Sequence, residues 1–392
     1  MTESGNQMTP RERIKATIHF EKPDVLPWCE IFDIEAILSW FSQGLRPDSD
    51  VVKFGFTWSG GDLLVAIKTF YGFNINGLFE CVDIFHDCPV PVDLGPIPRF
   101  KERTLFEDNK YLDFLVWTGA RARTRRDRMY SMPMFVEFPV RDRKSWEEYR
   151  KRLDPEDPRR YPKDWHKDAY VELFEHYQKA NTVLCLNGFY SFGAQLMGIP
   201  SFNLMFYKDP ELIERMVQHW EAFTIGTLKE AVETLKNRID MVMWWEDMAE
   251  RHGPNLSPRL CYEFLLPHYK KVTSFLKTNG IDRIVMDSDG NMNPMLDFLI
   301  DAGITGLWPL EVNSGMDARV IRKKYGNKLF LIGNLDKRAL AKGGESMRGE
   351  VDSKVPVLKE EGGYIPGADH TIHVEFTFDK FKEYASHIRS IL

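Results

Sequence analysis

Short runs of apolar residues, each followed at once by polar side chains, recur along most of this 392-residue sequence. A continuous apolar run is typical of a strand that is buried on both faces, as the strands of a parallel sheet are. Amphipathic segments with helical spacing separate the runs, and this alternation predicts an α/β fold, either a barrel or a doubly wound sheet. The runs are VLPWCE (25–30), TVLCLN (182–187), DMVMWWED (240–247), RIVMDSD (283–289), TGLWPLE (305–311), KLFLIGN (328–334) and GGYIPGAD (362–369).

The nucleotide-binding motifs that accompany many doubly wound sheets are missing from the sequence. It has neither GxGxxG after the first apolar run nor the phosphate-binding pattern GxxxxGK(S/T). The helical segments carry regular start and stop signals, such as Ser257 followed by Pro258 at a start and Gly280 at an end. We therefore predict a (β/α)8 TIM-type barrel.

One stretch near the start interrupts the alternation of strand and helix. Residues 97–140 alternate polar and apolar side chains, which predicts antiparallel hairpins inserted early in the barrel. The sequence shows no fixed-period repeat and no low-complexity linker. We predict a single barrel domain over residues 1–392, with a hairpin-rich insertion at about 97–140.

Composition and charge restrict the cellular location and the classes of binding partner that we expect. The net charge of −6 gives no reason to expect a nucleic-acid partner, and no apolar stretch reaches the roughly 18 residues that a membrane span needs. The five cysteines form no CxxC pair and no regular framework, and the first residues lack the apolar core of a signal peptide. We expect a cytoplasmic protein that binds neither nucleic acid nor membrane, with a homodimer left open.

Polar side chains at the ends of the apolar runs are the candidate chemical groups, because catalytic residues of a barrel come from the C-terminal ends of its strands. Carboxylates around one imidazole can bind a divalent metal or supply an acid with a raised pKa, and spacing does not choose between them. Asp, Ser, Gly and Asn are also turn and cap formers, so MDSDGN (286–291) can be read as a turn alone. The candidates are Glu246, Asp247, Asp287, Asp289, Glu311 and His370.

Aromatic side chains follow or end several of the same runs. Around one mouth they would form a flat, apolar pocket for an aromatic or similarly planar ligand. Packing in the core is the alternative interpretation. The candidate substrate-binding residues are Asn187, Phe189, Tyr190, Trp244, Trp245 and Trp308.

Several longer segments, taken together, resemble the uroporphyrinogen decarboxylase superfamily, which includes corrinoid-linked methyltransferases. The resemblance runs nearly from end to end and is more specific for the superfamily than for a reaction. It is carried by MTPRERIKATIHFEKPDVLPW (8–28), NGFYSFGAQLMGIPSFNLMFYKDPELIERMV (187–217), DMAERHGPNLSPRLCYEFLLPHYKKV (247–272), DSDGNMNPMLDFLIDAGITGLWPLEVNSGMD (287–317), LFLIGNLDKRAL (329–340) and YIPGADHTIHVEFTFDKFKEY (364–384).

The metal ligands of the related methyltransferases are replaced in this sequence. Those enzymes hold zinc with His-x-Cys at one strand end and a cysteine at a later one. Asp287-Ser288-Asp289 stands in the first place, and the later cysteine falls at or next to His370. The resemblance implies metal ligands among Asp287, Asp289, Glu311 and His370. Such a site lacks the soft thiolates that activate a thiol, but it could hold zinc that polarises an ether oxygen.

The resemblance implies a methyltransferase that moves a methyl group from a small methylated donor to a corrinoid on a separate protein. The expected donor is an aromatic methyl ether, which would make the protein an O-demethylase component. The expected catalytic residues are Asp289, His370, Glu246 and Asp247. The alternatives are a decarboxylase or other lyase on a small or aromatic carboxylic acid, and a ligand-binding homologue without catalysis.

We predict that the protein does not turn over uroporphyrinogen. True uroporphyrinogen decarboxylases carry an arginine-rich stretch after the first strand, which meets the carboxylates of the substrate. The corresponding segment here, CEIFDIEAIL (29–38), has three acidic residues and no arginine, so an octacarboxylate would meet repulsion. Chromatography of the oxidised products of an incubation with uroporphyrinogen should show no coproporphyrin. Its appearance above a protein-free blank would overturn the prediction.

Overall fold

The computed structural model describes residues 7–45, 81, 88–127, 132–163, 165 and 182–392. Their central feature is a parallel sheet of seven strands, which neighbour one another in chain order. The strands are β1 (Cys88–Pro89), β6 (Thr182–Asn187), β7 (Met241–Trp245), β10 (Ile284–Asp287), β11 (Gly306–Trp308), β12 (Phe330–Leu335) and β13 (Tyr364–Ala368). Six of these strands coincide with predicted apolar runs, and β1 is an additional strand that precedes them in the chain.

The segment around residues 29–32 supplies an eighth strand position beside β13. The amide of Cys29 donates to the carbonyl of Pro366 at 2.9 Å, and Phe32 forms a parallel bridge with Ile372. Side chains from seven of the eight positions pack into one cluster in the barrel interior, which Ile14 and Ile18 of the first helix extend. The predicted (β/α)8 barrel is confirmed.

Helices cover the outside of the barrel, and their starts follow the sequence signals. At the first helix, the Thr9 hydroxyl accepts from the Glu12 amide while the Glu12 carboxylate accepts from the Thr9 amide, and Pro10 occupies the first turn. None of the described helices is both long and apolar enough to cross a membrane. The helices are α1 (Pro10–Ile18), α2 (Ile34–Ser42), α3 (Arg143–Tyr149), α4 (Phe189–Met197), α5 (Ile199–Lys208), α6 (Pro210–Leu235), α7 (Pro258–Leu260), α8 (Leu266–Thr278), α9 (Leu296–Asp301), α10 (Ala318–Tyr325), α11 (Lys337–Lys342), α12 (Gly344–Glu361) and α13 (Phe378–Arg389).

A four-stranded antiparallel sheet lies in the chain between β1 and β6. Its buried Asp113 accepts hydrogen bonds from the guanidinium groups of Arg121 and Arg123, which ties β3 to β4. The strands are β2 (Arg103–Glu107), β3 (Tyr111–Leu115), β4 (Arg121–Arg125) and β5 (Met134–Glu137). The predicted hairpins early in the chain are confirmed. A two-stranded hairpin, β8 (Ala249–Glu250) and β9 (Gly253–Pro254), follows β7.

Asn334 fixes the loops that follow β11. Its amide nitrogen donates to the carbonyls of Leu310 and Met316 at 2.7 and 3.0 Å, and its amide oxygen accepts from the Ala318 N–H at 2.9 Å. The side chain is buried, and the residue has φ 66°. Asparagine tolerates that left-handed backbone better than most residues do. Asn334, which follows an apolar run, is therefore part of the scaffold beneath the mouth.

Replacing Asn334 by alanine should destabilise the protein by about 3 kcal/mol or more, because three buried polar groups lose their partner at about 1–3 kcal/mol each. Urea unfolding measures the loss. The matched control is Asn313→Ala, since the Asn313 side chain is exposed and accepts a hydrogen bond from the side chain of Arg338. Its effect should stay within about 0.5 kcal/mol. Equal losses in the two variants would contradict the scaffold role.

Candidate active site

The MDSDGN segment forms a turn that is held by hydrogen bonds to two other segments. Gly290 has φ 81°, and its amide donates to the Glu311 carboxylate at 2.9 Å. The amide of Asn291 donates to the carbonyl of Glu250 at 2.9 Å. A Cβ atom at Gly290 would lie 2.7 Å from that carbonyl, so only glycine fits. The turn presents Asp289 toward the C-terminal end of β13.

Asp289 and His370 lie together in the mouth of the barrel, with 3.4 Å between Asp289 Oδ2 and His370 Nε2. The other nitrogen of His370 contacts the Thr371 hydroxyl at 2.8 Å, and the indole of Trp308 stacks on the imidazole with 6.1 Å between centroids. Burial by itself lowers the pKa of His370, but the hydrogen bond and the negative charge of Asp289 outweigh it, so the pKa is raised. The contact with Asp289 therefore favours the protonated form of the imidazole.

Two further carboxyl groups stand next to this pair. Burial and the negative charge of Asp289 raise the pKa of Asp247 to about 6, although its side chain still reaches solvent at the open end of the barrel. The amide of Asp247 is held by the Ser191 hydroxyl at 2.8 Å. Burial and the charges of Asp247 and Asp289 raise the pKa of Asp287 well above its ordinary value. The mouth therefore contains carboxyl groups that keep their protons more readily than free ones do.

The structure also shows a second imidazole–carboxylate pair that sequence reasoning missed. His373 and Asp33 are in hydrogen-bond contact, and the His373 ring stacks on His370 with 5.8 Å between centroids. Lys337 Nζ lies 3.3 Å from His373 Nε2. The signal in the sequence was the pair of histidines in ADHTIH (368–373), three residues apart, directly after a strand.

Glu246 lies outside the barrel and not in the mouth. Its carboxylate accepts from the amides of Tyr190 and Ser191 at 2.6 and 3.0 Å, at the start of α4. A Cβ atom on Gly188 would lie 1.0 Å from this carboxylate, so the glycine makes room for it. Burial raises the pKa of Glu246 to about 8, against the opposite effects of Tyr269 and of the two amides. This placement fits a structural role better than the catalytic role expected from the sequence.

The predicted aromatic pocket is divided between two faces of the strands. Trp245 is 43% exposed at the mouth, and Trp308 belongs to the barrel interior. Asn187, paired in register with Trp245, donates to Gln195 at 2.9 Å. Successive side chains of a strand point to opposite faces, so Trp244 faces the helices instead. The structure does not bring Phe189, Tyr190 and Trp244 to the mouth: they are buried in the core between barrel and helices.

The expected metal site is not assembled from its predicted ligands. Within the described part of the chain, no three His, Cys, Asp or Glu side chains are grouped so that they could hold a metal ion. One oxygen of Glu311 already accepts from the Gly290 amide and from the Ser314 hydroxyl. Asp287 is buried at 5% exposure. These residues as arranged do not fit zinc.

The chain matches one protein family and shares its fold with a solved methyltransferase structure. A family model described as uroporphyrinogen decarboxylase (URO-D) matches residues 138–391. No curated protein matches the sequence. The solved structures that match include a methyltransferase from Methanosarcina mazei, with a TM-score of 0.59, 17% sequence identity and 98% coverage of each chain. At this identity the likeness shows a common fold.

Glu246→Gln should flatten the pH dependence of stability. The pKa of Glu246 is about 8 in the folded protein and about 4.3 in an unfolded chain. Between these values unfolding releases a proton, so the wild type loses stability as the pH rises through this window. Glutamine keeps an acceptor for the two amides of α4 but cannot ionise. Thermal melts at about pH 5 and about pH 8 should therefore differ less in the variant than in the wild type.

The control for this measurement is Glu263→Gln, which removes an exposed carboxylate from the turn that precedes α8. It should melt with the pH dependence of the wild type. A fall in melting temperature from acid to alkaline pH that is equally steep in Glu246→Gln and the wild type would show that Glu246 is ionised in the fold.

Proposed function

Since the chain belongs to the uroporphyrinogen decarboxylase family, we propose that it is a methyltransferase that demethylates a small aromatic methyl ether. The acceptor is a corrinoid carried by a separate protein. The proposal is supported by the family and by a fold shared with a methyltransferase. The observation that carries it is the contact between Asp289 and His370 beside Asp247, at the open end of the barrel.

A methyl ether is a poor methyl donor because its leaving oxygen is basic. A proton delivered to that oxygen as the C–O bond breaks lowers the barrier, typically by a factor of about 10² to 10⁴ in rate. His370, held protonated by Asp289, is the donor of that proton. The pair of electrons in the C–O bond stays on the oxygen, which leaves as a phenol. The corrinoid, in its Co(I) form, supplies the nucleophile that takes the methyl group.

Asp247 and Asp289 support this proton transfer. The negative charge of Asp289 holds the imidazole in its charged form, and the raised pKa of Asp247 makes it a reserve donor in the same mouth. The mouth is open, since Trp245 at its edge is 43% exposed. An aromatic donor can lie against Trp245 and Trp308 while the partner protein approaches from the same end.

The cellular setting is part of the proposal. We include a cytoplasmic location in the proposal, because the cysteine spacing in the sequence shows no disulfide framework. A lyase that acts on a carboxylic acid would use the same acid groups, with the proton going to carbon. The two reactions separate in the assay, because only the methyltransferase methylates a corrinoid.

Asp289→Ala and His370→Ala should each lose most of the methyl transfer, on the order of 10²-fold or more, with the fold intact. The measurement is methylation of cob(I)alamin by absorbance, beside a thermal melt and metal analysis. The matched control is His387→Ala, because His387 pairs with Asp352 at 2.7 Å on the surface. Near-wild-type rates in both mouth variants would reject the proposed chemistry, and a stoichiometric metal lost from both would assign the mouth to a metal.

Asp289→Asn should shift the pH profile rather than abolish the reaction. The pKa of His370 is raised by Asp289, so protonated His370 is present at low pH and is lost as the pH rises through that pKa. Asparagine removes the charge, and burial then lowers the pKa. The rate of methyl transfer should consequently begin to fall at a lower pH than in the wild type. An unchanged alkaline limb would show that His370 is not the acid.

A further inference from the structure

One face of the four-stranded antiparallel sheet carries exposed apolar residues at both of its edges. Directly paired residues of neighbouring strands point to the same face, so the register defines rows of side chains across the sheet. One row runs from Phe106 on β2 through Asp113 and Arg123 to Met134 on β5. Phe106 is 46% exposed and Met134 is 59% exposed, whereas Asp113 is buried and paired with Arg123 at 2.6 Å. The row therefore has an ion pair at its centre and an exposed apolar side chain at each end.

A second row on the same face ends in opposite charges. It runs from Arg103 on β2 through Leu115 and Arg121 to Glu137 on β5. Arg103 and Glu137 are exposed, and β2 and β5 are the two outer strands of the sheet. In both rows β2 thus carries one member of a complementary pair and β5 carries the other. We call the face formed by these two rows the insertion face.

The insertion face is complementary to itself after a half-turn. A twofold axis that lies parallel to the strands, between two such faces, places β2 of one copy over β5 of the other. Phe106 would then meet Met134 of the second copy, and Arg103 would meet Glu137. A contact between an aromatic ring and a methionine sulfur is favourable, and so is an ion pair between arginine and glutamate. Because the axis is twofold, each contact forms twice, as in the self-complementary interface of a symmetric dimer.

The edges of the sheet are less suited than the face to contact with another chain. The pairing of β2 shifts between Thr104 and Phe106, and the pairing of β5 shifts between Arg121 and Ala122. Irregularities of this kind interrupt the ladder of hydrogen bonds and hinder the addition of a further strand at an edge. The face itself has the composition of an interface, since arginine, aromatic residues and methionine are enriched there and lysine is depleted. Neither row of the insertion face contains a lysine.

We propose that the protein forms a homodimer in which the insertion face packs on the same face of a second copy. The packed sheets would lie about 10 Å apart, which leaves room for both sets of side chains. Three strand spacings of about 4.8 Å separate the outer strands by only about 14 Å. The interface is therefore small, and we expect a dissociation constant in the micromolar range. The dimer does not depend on the proposed reaction.

The test is sedimentation equilibrium at protein concentrations up to about 100 µM, well above a micromolar dissociation constant. The wild type should have twice the mass of the chain. Phe106→Lys and Met134→Glu should each raise the dissociation constant about tenfold or more, because each places a charge against an apolar side chain of the second copy. An equimolar mixture of the two variants should regain the dimer. In the mixed dimer the introduced lysine meets the introduced glutamate, and the other contact is the native one.

The matched control is Val320→Glu, which introduces the same charge at a side chain that is 62% exposed on α10. It should remain dimeric, and a thermal melt of each variant confirms that the fold is retained. A monomeric wild type overturns the proposal, as does a dimer that survives both substitutions. Variants that stay monomeric when mixed overturn the pairing of Phe106 with Met134. If the wild type is monomeric but binds a purified corrinoid-binding protein more tightly than Met134→Glu does, the face belongs to that partner and the homodimer is rejected.

Discussion

The carboxylate of Asp369 ties together the loops that form the mouth of the barrel. Its two oxygens accept from the amides of Val312 at 2.9 Å and Lys337 at 3.0 Å, and its own amide donates to Leu335 at 2.7 Å. The residue is 2% exposed, so a lost bond here would leave buried amides without a partner. His370 follows it directly in the chain. The positions of His370 and Lys337 thus depend on one buried carboxyl group.

Carboxyl groups at the strand ends occupy two different environments. Glu30 and Glu246 face away from the barrel interior, where burial raises the pKa of each to about 8. Glu30 accepts from the Tyr384 hydroxyl at 2.6 Å and from the Ala368 amide, as Glu246 accepts from α4. Asp247 and Asp289 instead meet an imidazole and solvent in the mouth. The same chemical group is scaffold or candidate acid according to the face of the barrel on which it lies.

Much of the architecture could be predicted from the residues alone. Continuous apolar runs identify strands buried on both faces, because only such strands can omit polar side chains, and every predicted run coincides with a strand position. Asp289 and His370 were identified for a related reason. A parallel barrel brings the ends of all its strands to one mouth, so polar residues directly after a run are brought together wherever they stand in the chain.

The tertiary structure alone decided which of those polar residues meet. At a strand end the alternation of side chains gives way to turns, and left-handed residues such as Gly290 and Asn334 redirect the next side chain. The sequence therefore could not tell that Glu246 turns outward. Nor could it show that Asp33 meets His373 across 340 positions, since such a contact depends on barrel closure. Sequence by itself determined the barrel and the set of candidate groups, whereas packing at the mouth selected the pairs, because pairing depends on distances that only the closed fold sets.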